Sequence, residues 1–280
     1  MASPPDTGTN DLLSSLDAGV LTLTLNRPEA RNAMSGAMNR ALGEQLAWAE
    51  LEAAVKCVVL TGAGKGFCAG GDVKGMAGRG DGEGQGEDAG AAVTLDEAIH
   101  RQRVNQRATA GRLHKMPKPT IAALPGAAAG AGFALTLACD LRIMARGAIM
   151  TTAFARVGFS GDYGGSYFLT QLVGSAKARE LYFLSDRVSA EEALALGLTN
   201  WVCEAEELAA RTAAIAARLA AGPSVAYRYM KENLNRAMAG EVDDCLDLEA
   251  THHIHCAATA DHREAARAFV EKREPVFQGR

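Results

Sequence analysis

The sequence predicts an α/β fold, a strand-and-helix core followed by an all-helical C-terminal region. Three observations carry that expectation. Short apolar strand signals at Val20–Leu25, Val58–Leu60, Thr120–Leu124 and Leu141–Ala145 alternate with helical patterns through most of the chain. From Ala205 onward, alanine-rich helical segments follow one another, separated at Gly222-Pro223, at Gly240 and around Asp261. Between them, KPTIAALPGAAAGAGFALTLACD, from Lys118 to Asp140, reads as buried strand, tight turn and buried helix. Residues 1–12 are expected to form a flexible tail, 13–204 the core and 205–280 the helical region.

Each element has its own reason. Val20–Leu25 alternates as a half-buried strand does, and Asn26-Arg27-Pro28 ends it. Ser35 can cap a helix with Met38, Leu42, Leu46 and Leu51 on its apolar side. Val58–Leu60 runs into a glycine-rich loop, Thr61 to Asp72 (TGAGKGFCAGGD). Gly78 to Gly90, rich in glycine and acid, is expected to be mobile. A helix from about Leu95 to Lys115 leads into Pro117 and Pro119. Ser189 to Glu192 has the form of a capping box, with Gly197 as that helix's stop, and Asn200–Cys203 is the last strand candidate. Asp261 to Glu264 reads as a second capping box.

With 280 residues the chain can bury a sizeable core. Its 48% hydrophobic and 22% charged content is that of a globular protein. A net charge of −4 gives no ground to expect a nucleic-acid partner or an anionic membrane surface. No apolar run approaches the roughly 20 residues of a membrane span. The start, MASPPDTGTND, lacks the basic and apolar parts of a secretory signal, and six scattered cysteines form no CxxC pair. Reduced thiols and a cytoplasmic setting are therefore expected.

The chemistry begins with the two glycine-rich turns, around Gly64–Asp72 and Gly130–Gly132, each following a strand. Each can turn one backbone N–H toward a single oxygen, and two converging amides are the parts of an oxyanion hole. The second turn also opens a helix, whose first N–H groups lack partners and whose dipole favours negative charge. The same turn also suits close helix packing alone. It is a poor dinucleotide fingerprint, because Leu135 stands at the third small position and no acid follows at the expected spacing. TGAGKGF is no P-loop either, since Gly66 follows its lysine. Asp72 reads as a helix cap rather than an acid, and Cys68, with no base in view, as packing. Asp162, in the glycine-framed turn SGDYGG among apolar neighbours, is either a carboxyl with a raised pKa suited to proton transfer or an N-cap for the helix starting near Tyr163. His252, His253 and His255 read as surface or subunit-contact residues, and no metal site is expected.

Five stretches in order carry a family resemblance: LNRPEARNAM (Leu25–Met34), GKGFCAGGDVKGM (Gly64–Met76), KPTIAALPGAAAGAGFAL (Lys118–Leu135), SGDYGGSYFL (Ser160–Leu169) and AFVEKREPVFQGR (Ala268–Arg280). From about residue 15 to the C-terminus the chain resembles the crotonase, or enoyl-CoA hydratase/isomerase, superfamily. The resemblance implies a ββα spiral core, a helical C-terminal trimerisation region, a homotrimer or hexamer, and acyl-CoA thioester substrates that bring CoA with them, so that no separate cofactor is needed. By position, the amides of Gly71 and Ala131 would hold the thioester oxygen, flanked by Asp72 and Gly130. The backbone of Ala69 and Gly70 would meet the adenine end of CoA. Arg31, Lys272 and Phe277 fall where CoA contacts are expected, the last two reaching a neighbouring subunit.

The departures carry information of their own. Hydratases of this family use two glutamates; here those positions are Ala134 and Phe154, and neither moves a proton. A carboxylate reappears at Asp162, where the resemblance is to the acid/base of ring-epoxide and double-bond isomerases, nearest to epoxyphenylacetyl-CoA isomerase-like members. Phe154, Phe159 and Tyr163, with the segment Gly78–Leu95, are expected to shape the acyl pocket. The expected activity is isomerisation of an enoyl-CoA or strained-ring acyl-CoA. Two other readings stay open: hydration of a 2-enoyl-CoA by Asp162 alone, and a catalytically silent acyl-CoA-binding scaffold.

Overall fold

The computed structural model describes residues 2–72 and 93–280. The stretch Gly78–Gly90, expected from its composition to be mobile, and most of the proposed specificity segment lie outside the described residues. A hairpin of β1 (Leu12–Asp17) and β2 (Val20–Leu25) begins one sheet, and β2 buries every second residue as its alternation requires. Then β3 (Cys57–Gly62), β5 (Thr120–Leu124), β7 (Leu141–Ala145) and β10 (Trp201–Cys203) add in parallel, giving the order β1-β2-β3-β5-β7-β10. β5 is buried along its whole length, which is why it reads as an unbroken apolar run.

A second, smaller sheet is built from very short segments, two of which, in the Gly64–Asp72 and Gly126–Gly132 stretches, read as loop or turn in the sequence. β4 (Gly66–Cys68), β6 (Ala127–Ala129), β8 (Ile149–Thr151) and β9 (Val188–Ser189) lie in that order. Each of β3, β5 and β7 thus passes into a short strand of the second sheet. After β6 comes α4 (Ala131–Ala138), and after β8 comes α5 (Gly165–Leu184), so the chain winds in ββα units. This is the spiral α/β core expected.

The first helix, α1 (Gly36–Leu51), starts where expected, with the Ser35 hydroxyl accepting from Met38 N at 3.0 Å. Its buried stripe is Met38, Leu42, Leu46 and Ala49; Leu51, expected on that stripe, is 87% exposed at the helix end. The single helix expected over residues 95–115 is two, α2 (Leu95–Ala108) and α3 (Ala110–Lys115), because Thr109 leaves helical geometry between them. Farther on, α6 (Ala190–Ala195) has the predicted capping box, Ser189 and Glu192 bonding reciprocally.

The C-terminal region is α7 (Leu208–Ala220), α8 (Ser224–Ala237), α9 (Val242–Ala257) and α10 (Ala260–Glu271). Asp261 is not the cap of α10; Thr259 is, its hydroxyl accepting from His262 N at 3.0 Å. The Asp261 carboxylate instead lies buried and accepts from Gln278 N (2.7 Å) and Gly279 N (2.8 Å), pinning the chain end. A buried lysine staples these helices to the core. Lys231 of α8 pairs with Asp140 at 2.8 Å and donates to the carbonyls of Leu113 and Lys118. Removing one partner of such a pair costs about 3–5 kcal/mol, because a charge is left buried alone. His252 is not a surface residue as expected: it is buried, 2.5 Å from Asn233 Oδ1 and stacked on Tyr229. His253 and His255 are exposed. Among the described residues no helix is long and apolar enough to cross a membrane.

Candidate active site

Two backbone turns meet at the end of β4 and the start of α4. The first is held by the 31–34 segment: Ala69 N donates to Arg31 O at 3.0 Å, Met34 N donates to Gly70 O at 2.8 Å, and Met34 and Gly71 form a parallel bridge. Asn32, fully buried, stitches the same segment to the next loop by donating to Ala63 O and Gly66 O. The second turn is fixed by Gly130 N donating to Thr151 O at 3.2 Å. The turns touch so closely that side chains are excluded. A Cβ on Gly70, whose φ is +93°, would stand 2.9 Å from Ala129 O and 3.5 Å from Ala131 N. A Cβ on Gly132 would stand 2.5 Å from Cys68 Cβ and 2.6 Å from Cys68 O. Arg31, Ala69, Gly70, Gly71, Gly130 and Ala131 are therefore brought into one place. The Ala131 N–H opens α4 and has no acceptor within the helix.

Asp162 approaches this crossing from the turn before α5. A Cβ on Gly165 would lie 3.2 Å from Ala134 Cβ, so the start of α5 sits directly on α4 one turn past Ala131. Ala134 itself is fully buried and carries no group that moves a proton. Asp162 does not cap α5: the cap residue is Gly164, with no side-chain hydrogen bond. Its Oδ1 is buried and has no hydrogen-bond partner among the described residues. Burial pushes the carboxyl up to about 6, since nothing around it compensates a lost hydration shell. The Asp162 charge opposes ionisation of Cys68, Tyr163 and Tyr182, which locates the carboxylate between the β4 end and the α5 face. Cys68 is pushed up to about 12 by burial, so it stays a thiol and serves as packing, as expected.

Aromatic residues wall the turn. Phe154 is buried, stacks on Tyr182 at 5.7 Å, and has its ring edge 3.7 Å from where a Gly130 Cβ would be. α5 breaks at Gly174, and beyond the break the Tyr182 hydroxyl fits against Gly161 and Gly165, where a Cβ would come within 3.1 and 2.8 Å. Burial raises that phenol to about 12; Ser166 eases the shift without hydrogen-bonding geometry to it. Tyr163 is also buried, while Phe159 stands 56% exposed, outside this wall. Asp72 accepts from both Arg27 guanidinium nitrogens at 3.4 Å; the segment it was expected to cap begins outside the described residues.

Lys272 and Phe277 are not brought to this site within one chain. Gly279, near the end of their tail, lies against the Lys56 and Ser224 side chains, and Lys56 precedes β3, whereas the two glycine-rich turns follow the far ends of β3 and β5. Phe277 lines a small cleft together with Val225, Ala226 and Cys256. A 540 Å³ apolar cavity between α7 and the outer face of the larger sheet is lined by none of the site residues. Among the described residues no three His, Cys, Asp or Glu side chains are grouped to hold a metal. Asn39 and Gln106, both hydrogen-bonded to Tyr163, and Tyr182 escape a sequence reading because each reaches the turn from elsewhere in the chain.

Comparison with known proteins gives a consistent picture. The family model described as enoyl-CoA hydratase/isomerase matches residues 15–280. The 1,2-epoxyphenylacetyl-CoA isomerase of Escherichia coli (strain K12) is 38% identical over 269 residues, covering 96% of this chain and 98% of its own. The short-chain-enoyl-CoA hydratase of Clostridium acetobutylicum is 32% identical, covering 95% and 96%. The crystal structure of an enoyl-CoA hydratase from Polaromonas sp. JS666 superposes with a TM-score of 0.86 at 32% identity, covering 95% of this chain and 99% of that one.

Proposed function

The chain belongs to the enoyl-CoA hydratase/isomerase family, whose substrates are acyl-CoA thioesters, and within it we propose that this protein is an isomerase using Asp162 as its acid/base. The observation that carries the reading is one half-buried carboxylate whose Oδ1 has no hydrogen-bond partner among the described residues, beside two backbone turns, with Ala134 and Phe154 where proton-moving glutamates are found in the hydratases. The thioester oxygen sits between the Gly71 and Ala131 amides. Asp162 takes the α-proton, the C–H electron pair moves into the thioester as an enolate, and the two N–H groups hold the charge that develops on oxygen. Each such donor is worth about 2.7–4 kcal/mol when charge develops there. Asp162, now protonated, returns the proton to the γ-carbon, or opens a strained ring by protonating its oxygen. A carboxyl near 6 suits both halves, because at neutral pH it is ionised yet basic enough to accept. Coenzyme A arrives with the substrate, and no cofactor enters the steps.

Arg31, Ala69 and Gly70 form the surface against which the CoA moiety lies, with Lys272 and Phe277 supplied by a neighbouring subunit. That assembly, a trimer or a pair of trimers, is supported by exposed apolar residues on the C-terminal helices, among them Leu234, Ile254 and Phe269 at 68%, 69% and 86% exposure. We place the enzyme in the cytoplasm, in keeping with six unpaired cysteines.

Relatives carrying hydratase names motivate the second reading, addition of water by Asp162 alone. Turnover of 3-hexenoyl-CoA and crotonyl-CoA in ¹⁸O-labelled water separates the two. Isomerisation gives a shifted double bond without label; hydration gives a labelled 3-hydroxyacyl product and would sink the isomerase reading. Binding of both esters without turnover or α-hydrogen exchange would leave a silent scaffold.

A further inference from the structure

We propose that Gln106 is the positioning residue for the Asp162 carboxylate, acting through the Asp162–Tyr163 peptide. The proposal rests on Asp162 being the proton-transfer group. That peptide is gripped at both polar atoms: Asp162 O accepts from Gly165 N at 3.0 Å, and Tyr163 N donates to Gln106 Oε1 at 2.7 Å. Holding that peptide plane on both sides places the Asp162 Cα, the anchor from which the carboxylate side chain leaves. The far end of Tyr163 is tied as well, its hydroxyl standing 3.2 Å from Asn39 Oδ1.

The backbone needs such a grip. Tyr163 has φ of +48°, a left-handed conformation that a bulky aromatic residue adopts only when its surroundings enforce it. The helix that follows supplies no side-chain cap, and the carboxylate itself has an oxygen with no partner. Orientation therefore reaches Asp162 through the main chain, from α1 through Asn39 and from α2 through Gln106. A direct hydrogen bond to the carboxylate would hold it equally well, but would stabilise its charged form and weaken it as a base. Holding the peptide instead leaves the carboxyl in its dry surroundings.

Among the described residues, the groups facing Asp162 are uncharged at neutral pH. Cys68 from β4, Tyr163 and Tyr182 from α5 all have ionisation pushed far up by burial. From α1 and α2 come the amides Asn39 and Gln106, while Arg103 and Arg107 of α2 are exposed; α4 contributes no titratable side chain. A negative charge placed at position 106 would thus oppose ionisation of the carboxylate.

The experiment follows α-hydrogen exchange of phenylacetyl-CoA in deuterium oxide and isomerisation of 3-hexenoyl-CoA, across pH, in the full-length protein. Gln106→Leu removes the acceptor and is expected to lower kcat roughly 10- to 100-fold with KM nearly unchanged, as a displaced catalytic group does. Gln106→Glu restores an accepting oxygen and is expected to regain most of the rate, while moving the rate limb governed by Asp162 to higher pH. Wild-type kcat in Gln106→Leu overturns the proposal, and so does a Gln106→Glu limb that stays in place. If the leucine variant does not fold, the glutamate variant's limb decides alone. Asp162→Asn separates the two claims. Full turnover in that variant removes the role given to Asp162, whereas loss of turnover there beside an unaffected Gln106→Leu removes only the positioning role.

Discussion

The two halves of the site are built on opposite plans. The half around Gly70, Gly71 and Ala131 is all main chain, with its geometry set by what cannot be added: no Cβ fits at Gly132, and none fits at Gly70 without meeting Ala129 O. The half around Asp162 is one side chain, and its properties are set by what is missing, since among the described residues no hydrogen bond compensates the burial of its Oδ1. The first half should therefore fail by misfolding when altered. The second should fail by losing chemistry while the fold improves, because a buried, unpartnered charge destabilises the protein that carries it.

The sharpest separation is Gly132→Ala. Its Cβ would stand 2.5 Å from Cys68 Cβ, against backbone-linked atoms that cannot turn aside. We expect a loss of about 3 kcal/mol in stability, read by denaturant unfolding, together with loss of activity. A variant that folds and turns over normally would break the contrast.

Asp162→Asn should do the reverse. In the folded chain the carboxyl is raised from 3.8 to about 6, so ionising it costs folding free energy. The sign is that of any raised pKa: below about 4 the group is neutral in both states and costs nothing, and the cost grows as pH rises through 6. The full shift corresponds to roughly 3 kcal/mol, trimmed by partial exposure to about 1–2 kcal/mol. Asp162→Asn should therefore be more stable than wild type by that amount at pH 7 and equal to it below pH 4, in thermal melts across pH. Equal stabilities at both pH values would mean that the carboxylate is solvated after all.

The smallest effect is expected at Tyr182→Phe. Its hydroxyl has no hydrogen-bond partner in good geometry among the described residues, so removing it should change stability by less than about 1 kcal/mol while the stack on Phe154 persists. A larger loss, measured by the same melts, would give the hydroxyl a partner and the Asp162 turn a tighter wall than described.

How much of this was legible in the sequence follows from what each feature depends on. β2, β5, the Ser35 cap and the Ser189 capping box rest on local periodicity or a three-residue spacing, and they stand where the sequence puts them. β4, β6 and β8 are three-residue segments (GFC, AAA and IMT) whose strand character comes from pairing with one another, and three residues are too few to show a period in the sequence. Asp261 has the capping-box spacing but is claimed by Gln278 and Gly279, a contact that no local pattern announces. Asp162 could be singled out by its glycine frame and apolar neighbours. Its orphaned oxygen could not, because that depends on which groups α1, α2, β4 and α5 bring near. Asn39 and Tyr163 are 124 residues apart in sequence and meet only in the fold.

The central claim is that Asp162 moves the proton while the two amides hold the oxygen. The most direct measurement is α-hydrogen exchange of phenylacetyl-CoA in deuterium oxide by wild type and Asp162→Asn, with thioester affinity measured on the same samples. Affinity is expected to stay within a few-fold of wild type while exchange falls by about 10²–10⁴. Exchange at the wild-type rate in Asp162→Asn would contradict it.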